Sequence, residues 1–231
     1  MSSIRDVTLS CPDLTVEQCD RLLNLIAEHQ RSEIGVIGEA IRMEYISFRM
    51  AVDLLQQGGP DEFEEAIGVP KDAVNLEAEL RMGSRVFAAY LKMSEQPYHE
   101  VLRGRKVDNQ IDTLLHASDF KVLSLFVPPV DPLWDYVARE HVRLAGTQML
   151  IAIRRYELTE GNLPESLDIA AQEAGLDGFP ADPYSGQPFG YKVIDDRPIV
   201  YSVGSDQKDD GGLVDWNDGQ QPGDFILSTD D

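Results

Sequence analysis

Residues 132–159 read PLWDYVAREHVRLAGTQMLIAIRRYELT, and the reading of this stretch decides the fold. Ala138, Val142, Ala145, Met149, Ala152 and Tyr156 follow one another by alternating steps of four and three. An α-helix returns to the same face at those intervals, so the stretch predicts one long helix with a continuous apolar seam. Leu144 and Ile151 widen the seam, which predicts cover on more than one side of the helix. Gly161 is placed to end it.

On either side of this helix the chain changes character. Before it, apolar residues recur at helical spacing and glycine and proline are sparse; after residue 160, glycine, proline and aspartate dominate. Thr15 with Gln18 three residues on is a capping-box pattern, and Val16, Leu22, Leu23 and Ile26 follow it as the apolar face of a first helix. A second helix is expected from about Glu33 to Gln57, with Ile34, Ile37, Ile41, Tyr45, Phe48, Val52 and Leu55 on one face, and Gly58-Gly59-Pro60 stops it. Further helices are expected over Asp61–Ile67, Asp72–Ser94 and Tyr98–Ala117. The Asp119–Val130 connector reads either as a short strand or as a buried helix end.

After the long helix, Asn162 to Leu167 looks like a helix start with proline in its first turn. Phe189–Ile194 and Ile199–Val203 alternate or are β-branched and predict a hairpin, and Phe225-Ile226-Leu227 predict a last short strand. The fold expected is therefore α+β. A helical domain spans 1–130, and a domain over 131–231 packs the long helix on a small antiparallel β-sheet.

Composition narrows the function. The 231 residues carry 20 Lys+Arg against 41 Asp+Glu, a formal charge of −21. A protein that tracks nucleic-acid phosphates needs a basic stripe, so no nucleic acid is expected as partner. The same charge opposes direct docking on anionic lipid. No apolar run approaches the ~20 residues of a membrane span, and the N-terminus has no apolar core behind a basic start. Taken literally the chain is cytoplasmic; a soluble fragment of an envelope protein would read the same way. Cys11 and Cys19 are expected to be free thiols. No dinucleotide, phosphate-loop or serine-hydrolase motif is present, and His29, His99, His116 and His141 are in no metal spacing. No catalytic residue is assigned.

The acidic loop at 204–224 is different. Asp206, Asp209, Asp210, Asp215, Asp218 and Asp224 crowd there, opposed only by Lys208. Six like charges in a glycine-rich loop repel one another, and a hard divalent cation would turn them into ligands. Ca2+ takes ~6–8 oxygens in flexible geometry and suits such a loop better than Mg2+. The EF-hand template fails. With Asp206 first, Asp210 and Gly211 fall at the fifth and sixth positions, but Lys208 takes the third and Asn217 stands where a bidentate glutamate belongs. The plain alternative is a solvated acidic surface.

The order of blocks from the long helix onward carries a resemblance. Arg154-Arg155-Tyr156 leads to Glu160-Gly161-Asn162-Leu163-Pro164. Asp182-Pro183-Tyr184-Ser185-Gly186-Gln187-Pro188-Phe189-Gly190-Tyr191 follows, then Tyr201-Ser202-Val203-Gly204-Ser205-Asp206, then Gly223-Asp224-Phe225-Ile226. This resembles the C-terminal part of the major pseudopilin of type II secretion systems, and related uncharacterised envelope proteins of planctomycete-like bacteria. It covers residues 138–227, about 40% of the chain. The resemblance implies a Ca2+ site that locks the C-terminal loop, with Asp206, Asp209, Asp210 and Asp224 as ligands, Val203 as a backbone-carbonyl candidate, and Asp215 and Asp218 in reserve. The chain departs from that family in front, where ~130 residues of amphipathic helix replace the cleavable apolar pilin start.

The expectation is a non-enzymatic structural or interaction protein with a Ca2+-stabilised, pseudopilin-like C-terminal module, related to the cell envelope or to secretion. Its helical part would bind an unknown protein partner or self-associate. The alternatives are a metal-dependent hydrolase using the aspartate cluster, and an acidic decoy for a basic protein. Tyr184, Phe189, Tyr191 and Tyr201 are expected to pack the small sheet on the helix, as aromatics do in small cores.

Overall fold

The computed structural model describes residues 14–32, 36–57, 74–105, 120–127, 130–212 and 223–228. In these, seven helices and three strands follow in order: α1 Val16–Ser32, α2 Val36–Gln56, α3 Leu76–Ser94, α4 Tyr98–Arg105, α5 Leu123–Phe126, α6 Val130–Glu160, α7 Leu167–Glu173, β1 Gly190–Ile194, β2 Arg197–Ser202 and β3 Phe225–Ser228. The architecture is α+β. The helix expected over 61–67 and the part of the Tyr98–Ala117 helix beyond 105 lie outside the described residues.

The chain forms two compact units, one over 34–133 and one joining α1 to the described residues from Trp134 onward. The expected boundary at 130/131 left α1 with the helices that follow it; here α1 belongs with the C-terminal unit. Long-range polar contacts hold it there. Asp20 accepts from Arg155 Nε at 2.6 Å, and Gln30 Nε2 donates to Gln148 Oε1 at 3.3 Å. Cys19, Leu23 and Ile26, spaced four and three, are buried. The capping box forms as read, with Thr15 N–H on Gln18 Oε1 at 2.8 Å and Gln18 N–H on Thr15 Oγ1 at 3.3 Å.

In the unit over 34–133, α2 packs on α3, and α5 touches both. Phe48, Phe87, Tyr45 and Phe126 form an aromatic cluster with centroids 5.3–6.4 Å apart. The connector is a short helix, not a strand. Glu79 of α3 is completely buried and accepts from Val122 N–H at 3.1 Å and Leu123 N–H at 2.9 Å. A side chain 43 residues earlier thus satisfies amides that a helix start leaves without partners.

The C-terminal unit is built on α6. The seam residues Ala138, Val142, Ala145, Met149 and Ala152 are buried, and so are Leu150, Ile151 and Ile153, so cover comes from several sides. Arg155 fastens two neighbours to α6. It pairs with Asp20 of α1 and with the carboxylate of Glu173, and its guanidinium also reaches the Glu173 carbonyl at 2.9 Å. Gly161 closes the helix, its N–H on the Glu157 carbonyl at 2.9 Å. Ser166 caps α7 by accepting from Ile169 N–H at 3.3 Å.

The sheet is an antiparallel meander in the order β1-β2-β3, with Tyr191 opposite Val200 and Val200 opposite Leu227. The turn between β1 and β2 is tighter than its sequence suggests. Only Asp195 and Asp196 lie between the strands, at φ 50° and 61°, the left-handed pair of a two-residue hairpin. Aspartate tolerates that region better than most side chains. Pro198 is inside β2, opposite Val193, but β3 pairs only from Ile199 on, so no bond in that ladder needs its missing N–H.

The sheet meets α6 at Gly146. A Cβ there would stand 2.1 Å from Leu227 Cδ1, and Leu227 is fully buried. Arg143, one turn earlier, lies over the Phe225 ring at 5.8 Å. Gly146→Ala is expected to destabilise the unit by ~1–3 kcal/mol even though alanine is the better helix former by ~1 kcal/mol, because a closed core has no room for the methyl group. The check is the melting temperature. A rise instead of a fall would mean that Leu227 finds another rotamer without loss.

Candidate acidic loop site

Two buried carboxylates organise the polar end of the C-terminal unit. Asp182 opens the Asp-Pro-Tyr-Ser-Gly turn and is 1% exposed. Its Oδ1 accepts from Tyr184 N–H at 3.0 Å and Ser202 Oγ at 2.7 Å; its Oδ2 accepts from Ser185 Oγ and Val203 N–H, both at 3.1 Å. The turn is thereby tied to the end of β2. Tyr184 fills the core beneath, fully buried, with its hydroxyl donating to Asp135 of α6 at 3.1 Å. Gln207 Nε2 adds a bond to the Tyr184 carbonyl at 2.9 Å. The role of Asp182 as a hub is an addition from the structure. The Asp-Pro pair in a turn was the signal available in sequence.

The second carboxylate is Asp224, completely buried just before β3. Its Oδ1 accepts from Asp210 N–H at 3.3 Å and its Oδ2 from Gly212 N–H at 2.5 Å. It therefore clasps the first part of the acidic loop to the end of that loop. The crossing is tight. Gly204, at φ +67°, comes so near Gly223 that a Cβ would lie 2.3 Å from the Gly223 carbonyl oxygen, so only glycine fits. Burial pushes the Asp224 carboxyl up; the Gly212 and Asp210 amides oppose this, and the neighbouring Asp209 and Asp210 charges push it further up.

Tyr201 completes the floor. Its ring lies against Gly190 and Gly212, and Lys192 Nζ sits 5.8 Å from its centroid while also donating to the Gly211 carbonyl. Burial raises the Tyr201 hydroxyl, and the charge of Asp209 and a hydrogen bond with it act in the same direction.

The five residues expected as a site are thus divided. The charges of Asp209 and Asp210 lie near enough to Asp224 to add to the burial that pushes its carboxyl up. Asp209 Oδ1 accepts from Gly211 N–H at 2.8 Å and the side chain is exposed, as is that of Asp210. Asp206 turns to its own turn instead, accepting from Lys208 N–H at 3.1 Å and facing Lys208 Nζ at 3.9 Å. Val203 is engaged through its N–H by Asp182. Among the described residues no three or more acidic, histidine or cysteine side chains are placed to hold a metal ion. Asp215, Asp218 and Trp216 lie outside the described residues, as do Cys11 and His116. Cys19 is a free thiol that burial pushes up. Of the aromatics expected to pack the sheet, Tyr184 and Phe189 are buried, while Tyr191 is half-buried with its hydroxyl donating to the Pro164 carbonyl at 2.9 Å.

Chemically the arrangement is a clasp: backbone amides of one loop segment on carboxylates from another, with further negative charge at its mouth. Among the described residues no helix is long and apolar enough to cross a membrane. Comparisons of the chain with protein-family models, with curated proteins and with solved structures gave no match.

Proposed function

We propose that the chain is a non-enzymatic interaction protein of envelope or secretion type, whose pseudopilin-like C-terminal module is completed by Ca2+ at the acidic loop. The observation that carries this reading is the burial of Asp224 with the charges of Asp209 and Asp210 beside it; burial first and those charges after it push its carboxyl up. Three carboxylates with unfavourable mutual charge gain most from a divalent cation. Each Asp224 oxygen accepts one described amide, and a carboxylate oxygen has two lone pairs, so the clasp leaves acceptor capacity. Asp209 and Asp210 would supply the remaining carboxylate oxygens and water the rest. Asp206, turned to the Lys208 amide, is the weaker part of the expected set; the bond from Val203 N–H to Asp182 does not engage the Val203 carbonyl, the atom expected as a ligand. Metal binding energy would then appear as folding energy of the loop.

The proton and the cation should compete. The Asp224 value is raised in the folded chain, so the stability it brings is fully present below the pKa of the unfolded carboxyl. It is lost as pH rises through the folded value. At neutral pH the charge is unrelieved, and Ca2+ takes the place of the proton. After exhaustive EGTA treatment, Ca2+ at tenfold excess over its dissociation constant is expected to raise the melting temperature by about 5 °C, Mg2+ by less. The gain should shrink as pH falls through the raised Asp224 value and vanish in Asp209→Asn/Asp210→Asn. No shift with either ion at neutral pH would sink the calcium reading and leave a solvated acidic surface.

A further inference from the structure

Helix α2 has two apolar faces, and among the described residues only one is buried. Ile41, Phe48, Val52 and Leu55 are buried. On the opposite side Met43, Ile46, Met50 and Leu54 are 62%, 49%, 60% and 41% exposed. Their steps of three, four and four form a second stripe that the solvent face of a helix does not need. Two of the four are methionines, flexible side chains suited to a surface that packs against another.

The flanks of the stripe say what it fits. One flank carries Ala40 and Ser47, small residues that let another helix approach closely. The other carries exposed Arg42 and half-buried Asp53. They are eleven residues apart and so fall within ~20° of one line along the helix. When two identical helices pack antiparallel, like flanks face each other and run in opposite directions. If Ile46 of one copy faces Met50 of the other, Met43 comes opposite Leu54, and Arg42 comes within side-chain reach of Asp53. The two-fold then makes each of these contacts twice. Arg49 near the axis is drawn aside by a hydrogen bond with Tyr45 of its own helix, whose hydroxyl also meets Ser84 Oγ at 3.0 Å.

We infer that the exposed Met43-Ile46-Met50-Leu54 face of α2 pairs antiparallel with the same face of a second copy of this chain, with Arg42 opposite Asp53. This deepens the interaction-protein reading by naming the partner of the helical unit; it does not depend on calcium. The stripe is short, about three turns, so the pairing is a weak dimer, with a dissociation constant of ~10–100 μM.

The test is sedimentation equilibrium of the full chain from ~1 to ~500 μM at ~0.15 M salt, where long-range repulsion between chains of −21 charge is screened. The expected result is a monomer–dimer equilibrium. Ile46→Glu and Met50→Glu, both at exposed positions, should each weaken it about tenfold or more while circular dichroism and melting stay unchanged. Arg42→Glu alone and Asp53→Arg alone should weaken it, and the two together should restore it, since only the antiparallel register brings these positions opposite each other. A monomer throughout, a dimer indifferent to both stripe variants, or a double charge swap that fails to restore pairing would each overturn the inference. A monomer whose melting temperature still rises with Ca2+ would remove the self-pairing alone.

Discussion

Asp182→Ala is expected to cost the C-terminal unit ~3–5 kcal/mol, the largest effect of any single polar change in it. The carboxylate is 1% exposed and accepts four hydrogen bonds, two from backbone N–H groups and two from serine hydroxyls. Alanine removes every acceptor at once. The Ser202 hydroxyl is buried with it, and a buried donor left unpaired costs its full desolvation, ~1–3 kcal/mol each. Asp182→Asn should cost less, because one amide oxygen still accepts; its NH2 would confront donors on the other side. The readout is urea denaturation followed by tryptophan fluorescence. Trp134 and Trp216, the only tryptophans, both fall after residue 133, so the signal reports this unit and not the helices over 34–133. Faster amide exchange at Tyr184 and Val203 should accompany the loss. A midpoint within ~0.5 kcal/mol of the parent would show that other acceptors replace the carboxylate, and would remove Asp182 as the hub.

Glu79→Ala should have a comparable effect in the other unit, ~2–4 kcal/mol. Glu79 has no exposed surface, and its two oxygens each hold one amide of the short helix α5. Truncation leaves those amides without an acceptor and opens a cavity beneath Leu123, itself fully buried. Glu79→Gln keeps one acceptor and should lose about half as much. Hydrogen exchange at Val122 and Leu123 locates the effect, since those two amides should lose protection before the helices α2 and α3 do. Protection unchanged at both would mean that the carboxylate is not what orders α5.

These two carboxylates also show where reading a sequence stops. Both stand in stretches whose local structure was legible. Glu79 lies on the helix expected over Asp72–Ser94, and Asp182 in a block whose Pro183 and Gly186 are turn residues. Local bonds within three or four residues, such as Thr15 with Gln18 or Ser166 with Ile169, leave a trace in residue spacing. Glu79 and Asp182 act across 43 and about 20 residues, and no periodicity records that. A glutamate amid alternating charges reads as a solvated face until its partners are known.

The acidic loop divides in the same way. Its crowding was plain from composition, and the charges of Asp209 and Asp210 are felt at Asp224, though among the described residues no three acidic side chains are placed to hold a metal ion. That Asp224 lies buried, taking two amides from the loop's beginning, depends on β3 returning beside β2. Asp206, the first acid of the loop, instead accepts from the amide of Lys208 two residues on. Spacing along the chain cannot tell a carboxylate that faces its own turn from one that faces a neighbour.

Periods of 3.6 and 2, with cap and turn residues acting locally, make α1, α2, α3, α6, the hairpin, the last strand and the position of the negative charge legible in the sequence, whereas the helix expected from Asn162 begins only at Leu167, after Pro164. Long-range packing chose that α1 leaves the helices beside it in sequence and joins α6, and which carboxylates became buried acceptors. It also decided that α2 kept a second apolar face in solvent. Those outcomes turn on which surfaces meet when the chain closes. Burial makes the choice sharp, since a carboxylate removed from water must find donors wherever the fold has brought them.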